Sequence, residues 1–136
     1  METIKTIYLG DLRTEVTHVQ SGTKIITDAP TDNKGKGQSF SPTDMLAASY
    51  ASCSLTIMGI ASKLHGFDID GTEVKTTKVM GTGPRRIVEL IIEFNFPHNN
   101  YTDKERKIIE SSIKECPAAN SLLTDIKITR TMNFEK

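Results

Sequence analysis

Residues 41–65, SPTDMLAASYASCSLTIMGIASKLH, constrain the fold more than any other stretch of the chain. Ser41 is placed to cap a helix, with Pro42 at its first position and Thr43 and Asp44 completing a polar first turn. From Met45 to Leu64 apolar residues recur on every side, and a helix apolar all round is a buried one. At about 1.5 Å per residue, Pro42 to His65 spans on the order of 35 Å. A single 15.0 kDa domain hardly wraps such a rod. The expectation is therefore a homodimer in which each partner covers the other's central helix, with AASYAS permitting close backbone approach.

The 136 residues suit one domain, 1–136, able to bury roughly two-thirds of its unfolded surface. Lys plus Arg and Asp plus Glu both number 17, so the net charge is zero. That removes the electrostatic case for nucleic acid or an anionic membrane surface, and the lone pair Arg85–Arg86 sits at an expected hairpin turn. No uninterrupted apolar run approaches the ~18 residues of a membrane span, and METIKTIYLG lacks a signal-peptide core. A cytoplasmic protein is expected. There, two cysteines that pair are more often catalytic or redox-sensing than a static staple.

The flanking segments read as an α+β fold. TIKTIYLG, RTEVTHVQ and TKIITDAP are β-branched-rich and separated by Gly-containing turns. APTDNKGKGQSFSP follows as a loop; its GKG lacks the strand–GxxxxGK[ST]–helix context of a phosphate-binding loop. After the central helix, residues 71–97 alternate as two strands around the turn GTGP. Thr102 and Glu105 form a capping box that opens the helix DKERKIIESSIKEC. Pro117 restarts the chain as the short helix PAANSLL, and DIKITRTMNF is a final strand. The order β-β-β-α-β-β-α-α-β is not the alternation of a parallel nucleotide-binding sheet.

Cys53 and Cys116 are the candidate reactive groups. Buried free cysteines often serve only as small hydrophobes, and Cys53 lies mid-helix, where backbone N–H groups are already paired. Cys116 precedes Pro117 at the start of the next helix, a position where thiol pKa values fall. Helix position alone therefore favours Cys116 as nucleophile. The cysteines are far apart in sequence and His18, His65 and His98 are scattered, so neither a zinc site nor any other metal or cofactor is expected. A serine hydrolase would need a GxSxG elbow that the chain lacks.

The motif TDAP…GKG…SPTDMLAASYASC, followed by ECPAANSLL, resembles the OsmC/Ohr superfamily over nearly the whole length. The resemblance implies an intertwined homodimer with two active sites at the subunit interface. It also implies reduction of organic hydroperoxides, fatty-acid hydroperoxides included, in oxidative-stress defence, with a dithiol as reductant. On that basis Cys53 is peroxidatic and Cys116 resolving, the reverse of the ranking from helix position. The family's strand arginine corresponds to Arg13, which would favour the Cys53 thiolate and stabilise the leaving oxygen.

The acid departs from the hydroperoxide-reductase pattern. Thr43 stands where that branch has Glu, and Asp44 matches the acid of the broader OsmC-like branch. Nine positions separate Asp44 from Cys53, about two and a half turns, so the two point to opposite faces of one helix. Asp44 then serves a Cys53 site only from the partner subunit or after unwinding of the first turn; otherwise it simply favours the helix N-terminus. Two alternatives stay open: an OsmC-like small-ligand or redox-sensing module with little turnover, and a structural dimer with inert thiols.

Overall fold

A computed structural model describes residues 2–134. The order is β1 (Ile4–Gly10), β2 (Arg13–His18), β3 (Lys24–Asp28), α1 (Pro42–Leu64), β4 (Glu73–Gly81), β5 (Arg86–Asn95), α2 (Asp103–Ser112), α3 (Pro117–Asn120) and β6 (Lys127–Asn133). This is the α+β order expected from the sequence. Single 3-10 turns occur at Thr31–Asn33 and at Ile113–Glu115. Contacts divide the chain into two compact units, Met1–Leu46 and Ala47–Lys136.

The N-terminal unit is an antiparallel sheet in the order β1-β2-β3. The β1–β2 hairpin turns on Asp11 and Leu12, both at positive φ (54° and 62°), the conformation that matches strand twist in two-residue loops. The GKG loop then folds back on the end of β3. The amide of Gly37 donates to the Ala29 carbonyl at 3.2 Å, and that of Asp28 to Phe40 at 3.0 Å. A Cβ on Gly35 would lie 1.7 Å from the Ala29 oxygen, so only glycine fits there. The loop has a structural task, wrapping the residue next to Asp28. Much of this sheet's apolar surface is exposed, including Ile7, Tyr8 and Ile25.

In the C-terminal unit β5 is the central strand, antiparallel to β4 and parallel to β6. Its buried residues are Ile87, Leu90, Ile92 and Phe94. Pairing slips between Val79 and Met80, where Val79 faces Glu89 and Met80 faces Ile87, so Val88 is an extra residue on β5. That bulge resets the two-residue alternation and lets Ile87 share a face with Leu90. Val88 itself is half-buried and Ile91 is exposed, although both are apolar.

The buried residues of α1 are Ala47, Tyr50, Ser54, Met58 and Ser62, spaced three or four apart along one stripe. Ala47, Tyr50 and Met58 join the core with Leu90, Ile92, Phe94, Ile109 and Ile113. A helix buried on every side is not what one chain provides: Ile60 is 54% and Leu64 79% exposed. One three-stranded sheet covers one face of a helix, and the apolar remainder of this one is left to solvent.

By length and composition α1 reaches the range of a spanning helix, with a mean hydropathy of 1.4 over 18 residues. Its Ser and Thr residues interrupt apolar runs yet weigh little in an average. Its contribution to the core is that of a core helix, and core helices pass the same test.

Candidate functional site

The two thiols, 63 positions apart in sequence, meet in the C-terminal unit. Cys53 presents its sulfur from the middle of α1. Cys116 presents its own from the bend between the Ile113–Glu115 turn and α3, where it is the N-cap residue ahead of Pro117. Both are free thiols, Cys53 half-buried and Cys116 fully buried, with the side chains within hydrogen-bonding range. The geometry thus joins the pair that sequence reasoning singled out.

Their protonation is unequal. The Ala118 N–H acts to lower the pKa of Cys53, but the Cys116 thiol, burial and the charge of Cys116 outweigh it and push the value up. Burial acts to raise Cys116, yet the Ala119 N–H, the Cys53 thiol, the Ser54 hydroxyl and the Ala118 N–H hold it below the ordinary thiol value. Of the coupled pair, Cys116 is the more acidic thiol. The cause is donor geometry: the chain turns into α3 with its free N–H groups aimed at sulfur.

Arg13 lies in the N-terminal unit, at the start of β2. Its guanidinium donates to the Asp28 Oδ2 at 3.4 Å and makes a short hydrogen bond to the side chain of Gln38. Asp28, at the end of β3, is 1% exposed. The backbone N–H of Gln38, 3.0 Å from Oδ2, is the chief cause that holds its carboxyl below 3.8 against the opposing effect of burial, with Arg13 and the Lys36 N–H adding to it. Neither Asp28 nor Gln38 was singled out from the sequence. The available signal was an acid at the end of an apolar strand, TKIITDAP, where burial demands a partner.

Because its folded pKa is depressed, Asp28 contributes stability that is present above about 3.8 and lost as pH falls through the lower, folded value. Asp28→Asn is therefore expected to flatten the pH dependence of unfolding below about pH 4. Urea titrations of both proteins across that range check it, and superimposable pH dependences would contradict it.

Asp44 caps α1. Its Oδ2 accepts from the Ser41 N–H at 3.0 Å while its own N–H donates to the Ser41 hydroxyl at 3.1 Å. This is a reciprocal capping box, the helix-terminus role already open to it from the sequence. Among the described residues no cluster of three or more His, Cys, Asp or Glu is arranged to hold a metal ion.

A half-buried thiol on α1 thus faces a buried one at the start of α3, on an α+β scaffold with a mixed sheet. The OsmC-like protein family model matches residues 35–131. This chain belongs to the OsmC-like family. A Psychrobacter arcticus crystal structure, provisionally named an osmotic stress induced and detoxification response protein, shares 47% identity. It matches over 98% of this chain and 96% of its own, with a TM-score of 0.93. An organic hydroperoxide resistance protein from Elizabethkingia anophelis matches at 20% identity and TM-score 0.74 over 98% and 96% of the two chains. OhrB of Bacillus subtilis, an organic hydroperoxide resistance protein, matches at 17% and 0.71 over 97% and 98%. These last two likenesses are of fold. No curated protein sequence matches the chain.

Proposed function

We propose that this protein is a cytoplasmic, two-cysteine peroxidase that reduces organic hydroperoxides in oxidative-stress defence. The observation that carries the proposal is the facing Cys53–Cys116 pair, one sulfur reachable from solvent and the other sealed behind it. Cys53 gives up its proton and attacks the outer peroxide oxygen. The O–O bond breaks, the alkoxide leaves as alcohol after taking up a proton, and Cys53 becomes a sulfenic acid. Cys116 attacks that sulfur, water leaves, and an S–S bond forms. An external dithiol then reopens the disulfide. Arg13 would favour the Cys53 thiolate and the departing oxygen, and its fixed hydrogen bonding to Asp28 and Gln38 suits a preorganised donor.

The working unit is proposed as a homodimer. The exposed apolar residues Ile60 and Leu64, one turn apart on α1, support it, since apolar side chains gathered on one exposed helix face mark an interaction surface. Asp44, as a possible acid, would act from the partner subunit. The helix-capping role of Asp44 favours a second reading, a ligand-binding or redox-sensing module with little turnover.

Mass spectrometry after one equivalent of cumene hydroperoxide separates the readings. A Cys53–Cys116 disulfide in most molecules, with catalytic peroxide loss when dithiol is added, is the expected result. An unchanged dithiol form with no peroxide consumption would refute the peroxidase.

A further inference from the structure

Ser54 is a polar residue on the core-facing stripe of α1, one turn from Tyr50 and one from Met58, and it is fully buried. Its Oγ donates to the Cys116 Sγ at 3.8 Å. A hydroxyl sealed in an apolar interior pays its full desolvation cost unless it finds an acceptor. A neutral thiol is a weak acceptor, whereas a thiolate accepts charge-assisted hydrogen bonds. A serine aimed at this sulfur is therefore matched to the ionised form of Cys116.

The groups facing the sulfur agree. From α1 come the Cys53 thiol, itself titratable, and the Ser54 hydroxyl; from α3 come the N–H groups of Ala118 and Ala119. Lys114 and Glu115 precede it on its own turn with exposed side chains, where solvent screens their opposite charges. Four donors thus converge on one buried sulfur.

We propose that Ser54 is a positioning residue whose hydroxyl holds the Cys116 sulfur toward Cys53 and favours its thiolate. The step it serves rests on the two-cysteine reading, while the ionisation does not. Once Cys53 is a sulfenic acid, the Cys116 thiolate donates its electron pair to the Cys53 sulfur. The S–S bond forms as the S–O bond breaks, and the departing hydroxide takes up a proton to become water. Cys116 is oxidised and the sulfenic sulfur reduced, both to the disulfide level. Starting from the thiolate, this closure outruns further oxidation of Cys53.

The test follows the ultraviolet absorbance of the thiolate against pH, which needs no reagent to reach the buried sulfur. In a Cys53→Ser background only Cys116 titrates as a thiol. Adding Ser54→Ala is expected to raise its midpoint by about one pH unit, the effect of losing one charge-assisted hydrogen bond. Adding Ser54→Thr, which retains the hydroxyl, is expected to leave the midpoint low. Alanine is the stronger helix former, so the variant keeps its helix. An unmoved midpoint in Ser54→Ala overturns the proposal.

A second readout uses both native cysteines. After a peroxide pulse at a pH below both midpoints, that variant is expected to show about a tenfold higher ratio of over-oxidised Cys53 to Cys53–Cys116 disulfide, one pH unit's worth of thiolate. An equal ratio counts against Ser54. A native protein that forms no disulfide at all sinks the peroxidase reading instead, and the midpoint comparison still decides what Ser54 does.

Discussion

Cys53→Ser is expected to lower organic hydroperoxide turnover by about three orders of magnitude or more, since it removes the attacking sulfur and leaves no second nucleophile exposed. Cys116 is a poor substitute: it is the more acidic of the pair, but it is fully buried. Acidity and access are divided between the two sulfurs. Cys116→Ser has a different signature. It is expected to consume about one equivalent of peroxide per chain in forming the sulfenic acid, and up to about three as Cys53 passes on to sulfinic and sulfonic acids, and then stall, because no second cysteine traps the sulfenic acid. Following peroxide loss over many turnovers, with intact-mass measurement at the end, distinguishes the two variants. A Cys53→Ser protein as fast as the native one would end the peroxidase assignment.

The largest expected effect on stability belongs to Phe96, just beyond the end of β5. Its ring stacks on Phe134 with centroids 4.4 Å apart and meets Tyr101 edge-on at 5.9 Å. Phe94 lies on its other side at 6.4 Å, and Phe96 itself is buried. Phe96→Ala removes a large apolar side chain and leaves a cavity that three rings cannot close, at a cost of about 4 kcal/mol. Against a total of about 5–15 kcal/mol that is a large share. The melting temperature is expected to fall by roughly 10–15 °C. Differential scanning calorimetry checks this; a drop of a degree or two would mean the cluster repacks.

Much of the architecture was legible because its causes are local. The capping box at Thr102 and Glu105 forms as the residue types require, with both hydrogen bonds made. Ser41 and Asp44 open α1 in the same way, and Pro117 restarts a helix where its missing N–H does no harm. The alternation in β5 marked a strand, but it concealed the bulge at Val88, because one inserted residue shows only when the partner strand is aligned. Ser54 was passed over as one small residue among many in AASYASCS. A serine at a core position of a helical stripe was the signal that could have singled it out.

What the sequence by itself determined were the elements, their order and the two cysteines, since periodicity, caps and residue chemistry act within a few residues of where they are written. Only the tertiary structure decided which thiol is the more acidic. The donors that set it come from Cys53 and Ser54 on α1 and from Ala118 and Ala119 on α3, more than sixty positions apart along the chain. Hydrogen-bond geometry to one atom exists only after those elements have packed. The same holds for Arg13, whose guanidinium is oriented by Asp28 and Gln38 from a strand end and a loop that folding alone brings together.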